Sequence, residues 1–202
     1  HLGGPSGGGL PPHRLDLPLD YEAPRAHNAP IGSGEIAVLG TEDCVLHLVK
    51  LVVGFAAAAS CGKCTPCREG LPRMLDLVER IVEGRGEEQH MRELQNLSRL
   101  LKDTALCGLG REAPNIVLSS LTHFPEEYAR HIQDKICPAA VCPQLRPVEI
   151  DAARCRGCGL CARVCPARCI AGQPKEAHTI DARNCIRCGS CARVCPRHAI
   201  RI

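Results

Sequence analysis

The sequence predicts an α+β chain in three parts: a short β-forming N-terminal stretch, a helical bundle, and a small C-terminal domain made of two copies of one unit. Three observations carry this prediction. Apolar residues recur at helical spacing from Leu71 to Leu101. The string Asp151-Ala152-Ala153-Arg154-Cys155 is echoed thirty positions later by Asp181-Ala182-Arg183-Asn184-Cys185. The chain of 202 residues holds 16 cysteines but no Trp and only 2% aromatic residues, so its core must be aliphatic. Bound metal then contributes to folding, because a site that exists only in the folded state adds its binding energy to stability.

The elements follow in order. Residues 1–34 are rich in turn formers, from Gly3-Gly4-Pro5-Ser6-Gly7-Gly8-Gly9 through Pro11-Pro12 to Gly32-Ser33-Gly34, which reads as a flexible tail. Leu15, Leu17 and Leu19 alternate with other residues and hint at a strand, and Glu35 to Leu39, closed by Gly40, is the better strand candidate. Thr41 is placed to cap a helix running to about Ala59. Leu71, Met74, Leu75, Val78, Ile81 and Val82 form the next helix, broken by Gly84-Arg85-Gly86, and Met91, Leu94, Leu97 and Leu101 form the one after. Asn115 is a candidate cap for a helix through Leu121, and Pro125 suits the first turn of a last helix. Residues 41–134 therefore form the bundle, residues 135–147, with Pro138, Pro143 and Pro147, a linker, and residues 148–202 the repeated unit. Each copy of that unit opens on a short strand, Val148 to Ile150 and Thr179 to Ile180.

The cysteine spacing decides the chemistry. Cys155-x2-Cys158-x2-Cys161-x3-Cys165-Pro166 recurs as Cys185-x2-Cys188-x2-Cys191-x3-Cys195-Pro196. This is the run of bacterial ferredoxins, in which three thiolates on one loop take one [4Fe–4S] cluster and the fourth serves the other cluster. Cys155, Cys158, Cys161 and Cys195 are thus assigned to one cluster, and Cys185, Cys188, Cys191 and Cys165 to the second. Gly157, Gly159 and Gly189 let the loop backbone approach the sulfides. A zinc ribbon is the competing reading, but structural zinc favours separated C-x2-C pairs. A third triplet, Cys61-x2-Cys64-x2-Cys67, needs one more thiolate, and Cys107 is the best candidate because an antiparallel helix pair returns the chain to it. Zinc is the alternative there as well. A disulfide scaffold fits poorly, since such frameworks belong to short secreted domains with distant partners.

The strings Gly3 to Gly8, Ser60 to Gly70, Asp103 to Gly110 and Ala113-Pro114-Asn115 through Ser119 resemble the C-terminal half of the NADH-binding flavoprotein subunit of respiratory complex I. The appended two-cluster domain makes the chain more similar to the beta subunit of NAD-linked, electron-bifurcating hydrogenases and formate dehydrogenases. The resemblance implies that residues 1–40 are part of an SLBB (β-grasp) module. It also implies that Cys61, Cys64, Cys67 and Cys107 hold one [4Fe–4S] cluster in the bundle. In that family FMN and NAD bind an N-terminal domain that nothing here matches, so both are expected on another chain or a missing segment.

Four cysteines remain: Cys44, Cys137, Cys142 and Cys169. The first three, with His131, have the chemistry of a structural zinc site, and the resemblance implies a zinc near this linker. His123, His47 and His27 are alternative fourth ligands, and free buried thiols the alternative reading. Cys169 stands where the second copy has Ala199 and reads as a small packing residue.

These features make an iron–sulfur relay that is not itself catalytic, since no nucleophile or acid–base pair emerges. Expected partners are a flavin/NAD chain, [2Fe–2S] and hydrogenase or dehydrogenase subunits, and a soluble ferredoxin docking on the arginines around the clusters. A zinc-pinned scaffold gating a mobile ferredoxin arm, and a zinc-dependent interaction protein without redox chemistry, are the competing functions. A net charge of +3 argues against nucleic acid. The most apolar run, Val45 to Ala59, falls short of the ~20 residues a membrane span requires. With no apolar leader at the N-terminus, a cytoplasmic, reducing location is expected.

Overall fold

A computed structural model describes residues 1–201. The helical bundle is its largest body. Helix α1 (Val45–Ala58), α2 (Thr65–Val82) and α3 (Glu88–Thr104) pack in succession, followed by α4 (Gly108–Glu112), α5 (Asn115–His123) and α6 (Pro125–Ala129), which runs on into a π-helical turn over Arg130–Asp134. The stripes read from the sequence supply the core: Leu71, Met74, Ile81, Leu94 and Leu101 are fully buried against Leu46, Val49 and Val53 of α1. Tyr128, also fully buried, keeps its hydroxyl paired with Ser120 Oγ at 2.8 Å. Its burial pushes the phenol above the ordinary tyrosine range.

Two helix starts differ from expectation. Helix α1 begins at Val45 rather than Thr41, because the Asp43 carboxylate accepts the Gly40 N–H at 2.8 Å and closes residues 40–43 into a turn. Cys44 is left at the N-cap. Asn115 is the first helical residue of α5, not its cap. Its amide instead donates to the Ser6 carbonyl at 2.8 Å, and its Oδ1 accepts from Lys102 Nζ at 2.7 Å.

That contact explains why the first nine residues are no loose tail. Leu2 and Gly8 exchange backbone hydrogen bonds of 2.9 and 3.0 Å, and Gly9 N–H donates to Ser119 Oγ at 2.8 Å. A Cβ at Gly7 would stand 1.7 Å from the Leu2 carbonyl oxygen, so the sharp turn requires glycine there. The strands expected at Leu15–Leu19 and Glu35–Leu39 do not form; only single bridges tie Leu2 to Gly8 and to Ile36. A strand needs a partner, and Leu15, Leu19 and Val38 are left exposed without one.

The segment 135–147 also departs from its reading as a linker. Cys137, Cys142 and Leu145 lie within the bundle core, and Cys137 N–H donates to the Leu145 carbonyl at 2.7 Å. It is a folded strap.

The C-terminal unit pairs its first strand with its last. β1 (Glu149–Ile150) runs antiparallel to β4 (Ile200–Arg201), and β2 (Ile170–Ala171) to β3 (Thr179–Ile180). Short helices α7 (Leu160–Val164) and α8 (Ser190–Arg193) pack on each other. Arg187 clasps this unit to the strap, donating to the carbonyls of Arg146 at 3.0 Å and Lys135 at 2.6 Å. Among the described residues no helix is long and apolar enough to cross a membrane.

The burial of the strap has a measurable consequence. Leu145→Ala should destabilise the bundle by about 2–5 kcal/mol, the cost of emptying a filled core position. Denaturant unfolding of metal-loaded protein checks this; a change near zero would show that the strap does not hold the core.

Candidate metal centres

In the C-terminal unit the structure brings Cys155, Cys158 and Cys161 together with Cys195 around one cavity of about 210 Å³. Cys185, Cys188 and Cys191 converge with Cys165 around a second, tighter one. Each cavity therefore takes three thiols from one motif and one from the other. Gly159 (φ 72°) and Gly189 (φ 75°) occupy the left-handed region at the starts of α7 and α8, which bends each loop around its cavity. Backbone N–H groups point at the sulfurs: Ala199 donates to Cys195 Sγ and Arg187 to Cys185 Sγ, both at 3.4 Å. Four convergent thiols with backbone donors are the donor set that a [4Fe–4S] cluster takes. The residues present fit that group.

Cys169, expected to be only a packing residue, lines the second cavity, with its Sγ 3.5 Å from that of Cys165. Burial pushes its thiol up to about 12.

In the bundle, Cys64 caps α2, Cys67 lies in its first turn, and Cys107 caps α4. The Leu106 N–H, next to Cys107, faces the Cys64 sulfur and holds that thiol below its ordinary range. Gly110 in α4 approaches Cys67 so closely that a Cβ would stand 3.5 Å from its Sγ and 2.7 Å from the Ala105 Cβ. Ser60 Oγ lies 3.2 Å from Cys67 Sγ. Cys107 is thus brought beside the triplet, and Cys61 and Cys107 are exposed at the surface. Helix N-termini favour thiolate sulfur, so this donor set too suits a cluster.

A fourth group lies under the strap. The ligand atoms of Cys44, His131, Cys137 and Cys142 fall within 4.8 Å of one another, and all four residues are buried. Cys44 Sγ is 3.4 Å from His131 Nε2 and 3.8 Å from Cys142 Sγ, and Cys142 Sγ is 3.6 Å from Nε2. Zinc bonds of about 2.3 Å to sulfur and about 2.0 Å to nitrogen give tetrahedral edges near 3.8 and 3.5 Å. Those are the spacings found. The Cys142 and His131 side chains hold Cys44 down to about 4, while the same contact pushes Cys142 up. The π-helical turn sets His131 so that its Nδ1 meets the Glu127 carbonyl at 2.8 Å, leaving Nε2 for the thiols. The other histidines weighed for this position, His27, His47 and His123, are not in the group.

Three contacts escaped the sequence. Arg187 sits inside a cysteine loop and looks like any surface arginine until its carbonyl partners are known. The Lys102–Asn115–Ser6 chain joins residues 109 positions apart. Cys169 is flagged only by its mismatch with Ala199.

Two four-thiol cavities whose linings correspond across the thirty-residue repeat, joined to a cysteine-bearing bundle, define an iron–sulfur protein of the two-cluster ferredoxin type with a further helical module. Residues 47–131 belong to the family described as the NADH-ubiquinone oxidoreductase-F iron-sulfur binding region, and residues 148–199 to the 4Fe-4S dicluster domain family, so that the chain corresponds to the C-terminal part of such proteins. It is 47% identical to the NADP-reducing hydrogenase component HndC of Solidesulfovibrio fructosivorans over 176 residues, covering 87% of this chain and 36% of that protein. It is 36% identical to a component of the NADH-quinone oxidoreductase of Mycobacterium tuberculosis (strain ATCC 25618 / H37Rv), covering 67% of this chain and 31% of the other. An NAD+-reducing [NiFe]-hydrogenase in the H2-reduced state matches with a TM-score of 0.59 and 29% identity, over 66% of this chain and 23% of that one. The chain thus spans about a third of the length of the curated relatives it matches.

The close approach at Gly110 is testable. Gly110→Ala should force α4 away from Cys67, cost about 1–3 kcal/mol, and deplete iron at the bundle while leaving the C-terminal unit loaded. Iron per chain and the electron paramagnetic resonance (EPR) signals of the reduced protein report this; unchanged iron would show that α4 does not help to form the bundle site.

Proposed function

We propose that this chain is an electron relay carrying three [4Fe–4S] clusters, part of a larger NAD-linked oxidoreductase. Cys61, Cys64, Cys67 and Cys107 hold the first cluster. Cys155, Cys158, Cys161 and Cys195 hold another, and Cys185, Cys188, Cys191 and Cys165 the third. The observation that carries the reading is the exchange of one cysteine between the two C-terminal cavities, a geometry that serves paired clusters. The clusters supply one-electron carriage. The chain's own residues position the thiolates, donate N–H groups to sulfur, and limit solvent.

The relay has an order in this reading. The second C-terminal cavity is lined by Ile186 and Arg187, and both also face the strap and the bundle residues Glu83 and Gly84. It is therefore the member of the pair nearer the bundle, and electrons pass between the bundle and the outer cavity through it.

Cys44, His131, Cys137 and Cys142 hold one zinc ion, which fastens the strap to α1 and α6. A buried strap and the Arg187 clasp favour this structural role over a scaffold that gates a mobile arm. Residues 1–40 are part of an SLBB β-grasp module. That accounts for the exposed apolar side chains of Leu15, Leu19 and Val38. FMN and NAD bind another chain or segment, and [2Fe–2S] and hydrogenase or dehydrogenase subunits, with a soluble ferredoxin, complete the circuit.

Metal content of anaerobically purified protein tests the assignment. About twelve irons and one zinc per chain are expected, since each cubane needs about four irons. About eight irons would remove the bundle cluster, and zinc without iron would overturn the relay. Cys142→Ser should release the zinc and leave iron unchanged; loss of iron in step with zinc would instead place Cys142 among the cluster ligands.

A further inference from the structure

The two C-terminal cavities are near-copies, and the differences between them that bear on ligand sulfurs include Cys169. Ten of the eleven residues around the second cavity have their thirty-residue counterpart around the first. The turns after the fourth cysteines also agree: Arg168 (φ 50°) and His198 (φ 47°) both lie in the left-handed region. Each turn then presents the next backbone N–H to the cysteine sulfur, Ala199 to Cys195 and Cys169 to Cys165. At that position the copies diverge. Ala199 ends at its methyl, whereas Cys169 adds a thiol that is 7% exposed, lines the cavity, and stands 3.5 Å from Cys165 Sγ. The same thiol faces the Cys185 sulfur. The second cavity thus holds five sulfurs where a cubane takes four.

We propose that Cys169 is a positioning residue that sets the reduction potential of the cluster held by Cys185, Cys188, Cys191 and Cys165, by donating its S–H to the Cys165 sulfur. This rests on the cluster reading above. A cysteine sulfur bound to a cluster carries no proton and can only accept, so in the 3.5 Å contact the hydrogen comes from the non-ligand Cys169. Reduction adds one electron to the cluster and with it negative charge on its ligand sulfurs. A hydrogen bond to such a sulfur is stronger in the reduced state and raises the potential. Beside Cys195 Sγ the first cavity has the Ala199 backbone donor and no thiol. Ser190 Oγ, 3.5 Å from Cys188 Sγ where the first copy has Leu160, is a second difference of the same sense, and both side chains favour the electron at the inner site.

The experiment is an EPR-monitored redox titration of the anaerobically purified, metal-loaded protein and three variants. Cys169→Ala, which copies Ala199, should lower the reduced-to-oxidised ratio of one C-terminal cluster about fivefold at a fixed potential, the factor by which a hydrogen bond to the more charged sulfur of the reduced state exceeds the same bond in the oxidised state. Cys169→Ser keeps a donor and should restore most of the ratio. Ala199→Cys should raise the ratio of the other cluster. Iron per chain is measured alongside, so that failure of the cluster reading and failure of the proposal are distinct. If the parent protein lacks the eight or so irons of this unit, the cluster reading falls. If iron is intact and Cys169→Ala moves neither potential, or if Cys169→Ser shifts it as far as Cys169→Ala does, hydrogen-bond donation by Cys169 is overturned. Loss of iron in both Cys169 variants would overturn it too, by making Cys169 a ligand.

Discussion

Convergent thiolates repel one another, and a small protein can keep them together only around a positive centre. The C-terminal unit takes this constraint furthest. Its buried core consists of Cys161, Cys169, Cys191 and Ile170, with Cys165 and Cys185 packed beside them. These are the residues that line the two cavities. The four strands are two residues long each, too short to fold by themselves. The sulfur cages and the fold are one object: what fills the cages takes the place that large side chains occupy in ordinary small domains.

The bundle stands at the other extreme. Its aliphatic core is continuous from Leu46 to Leu145, and its cysteines sit at the rim, where helix ends supply free N–H groups. Between the two bodies lies the strap, held at one end by the Cys44–His131–Cys137–Cys142 group and joined at the other to the Arg187 loop. Backbone N–H groups meet the sulfurs of Cys185 and Cys195, and an imidazole meets those of Cys44 and Cys142. The carboxylate nearest His131, Glu127, is pushed up by burial and so carries its charge less readily.

The sequence was most legible where chemistry fixes spacing. The two ferredoxin runs and the triplet at Cys61 stood out by their spacing; Cys44, His131, Cys137 and Cys142, which the structure brings together, were grouped by residue type and by the family resemblance. The helices of the bundle were legible through their apolar stripes. What failed was what depends on distant partners. Leu15–Leu19 and Glu35–Leu39 have strand-like patterns but no neighbouring strands to pair with. Residues 135–147 looked like a linker because prolines mark loops, yet Leu145 fills a core hole that only the folded bundle creates. Asn115 looked like a cap and instead serves residues at the opposite end of the chain, which no local pattern reveals.

The exchange of cysteines between the two cavities also has a consequence in time. The first cavity has its first thiol at Cys155 but lacks its last until Cys195, and the second, for which Cys165 waits, has its last at Cys191. On a ribosome adding about 5–20 residues per second, the three thiols ending at Cys161 stand unfinished for roughly two to seven seconds, and then both cages close within a second of each other. Neither can be filled while the unit is half made. Iron delivery is therefore an event that follows synthesis of the unit as a whole, and oxygen reaching the chain during that interval meets open thiols rather than a closed cage.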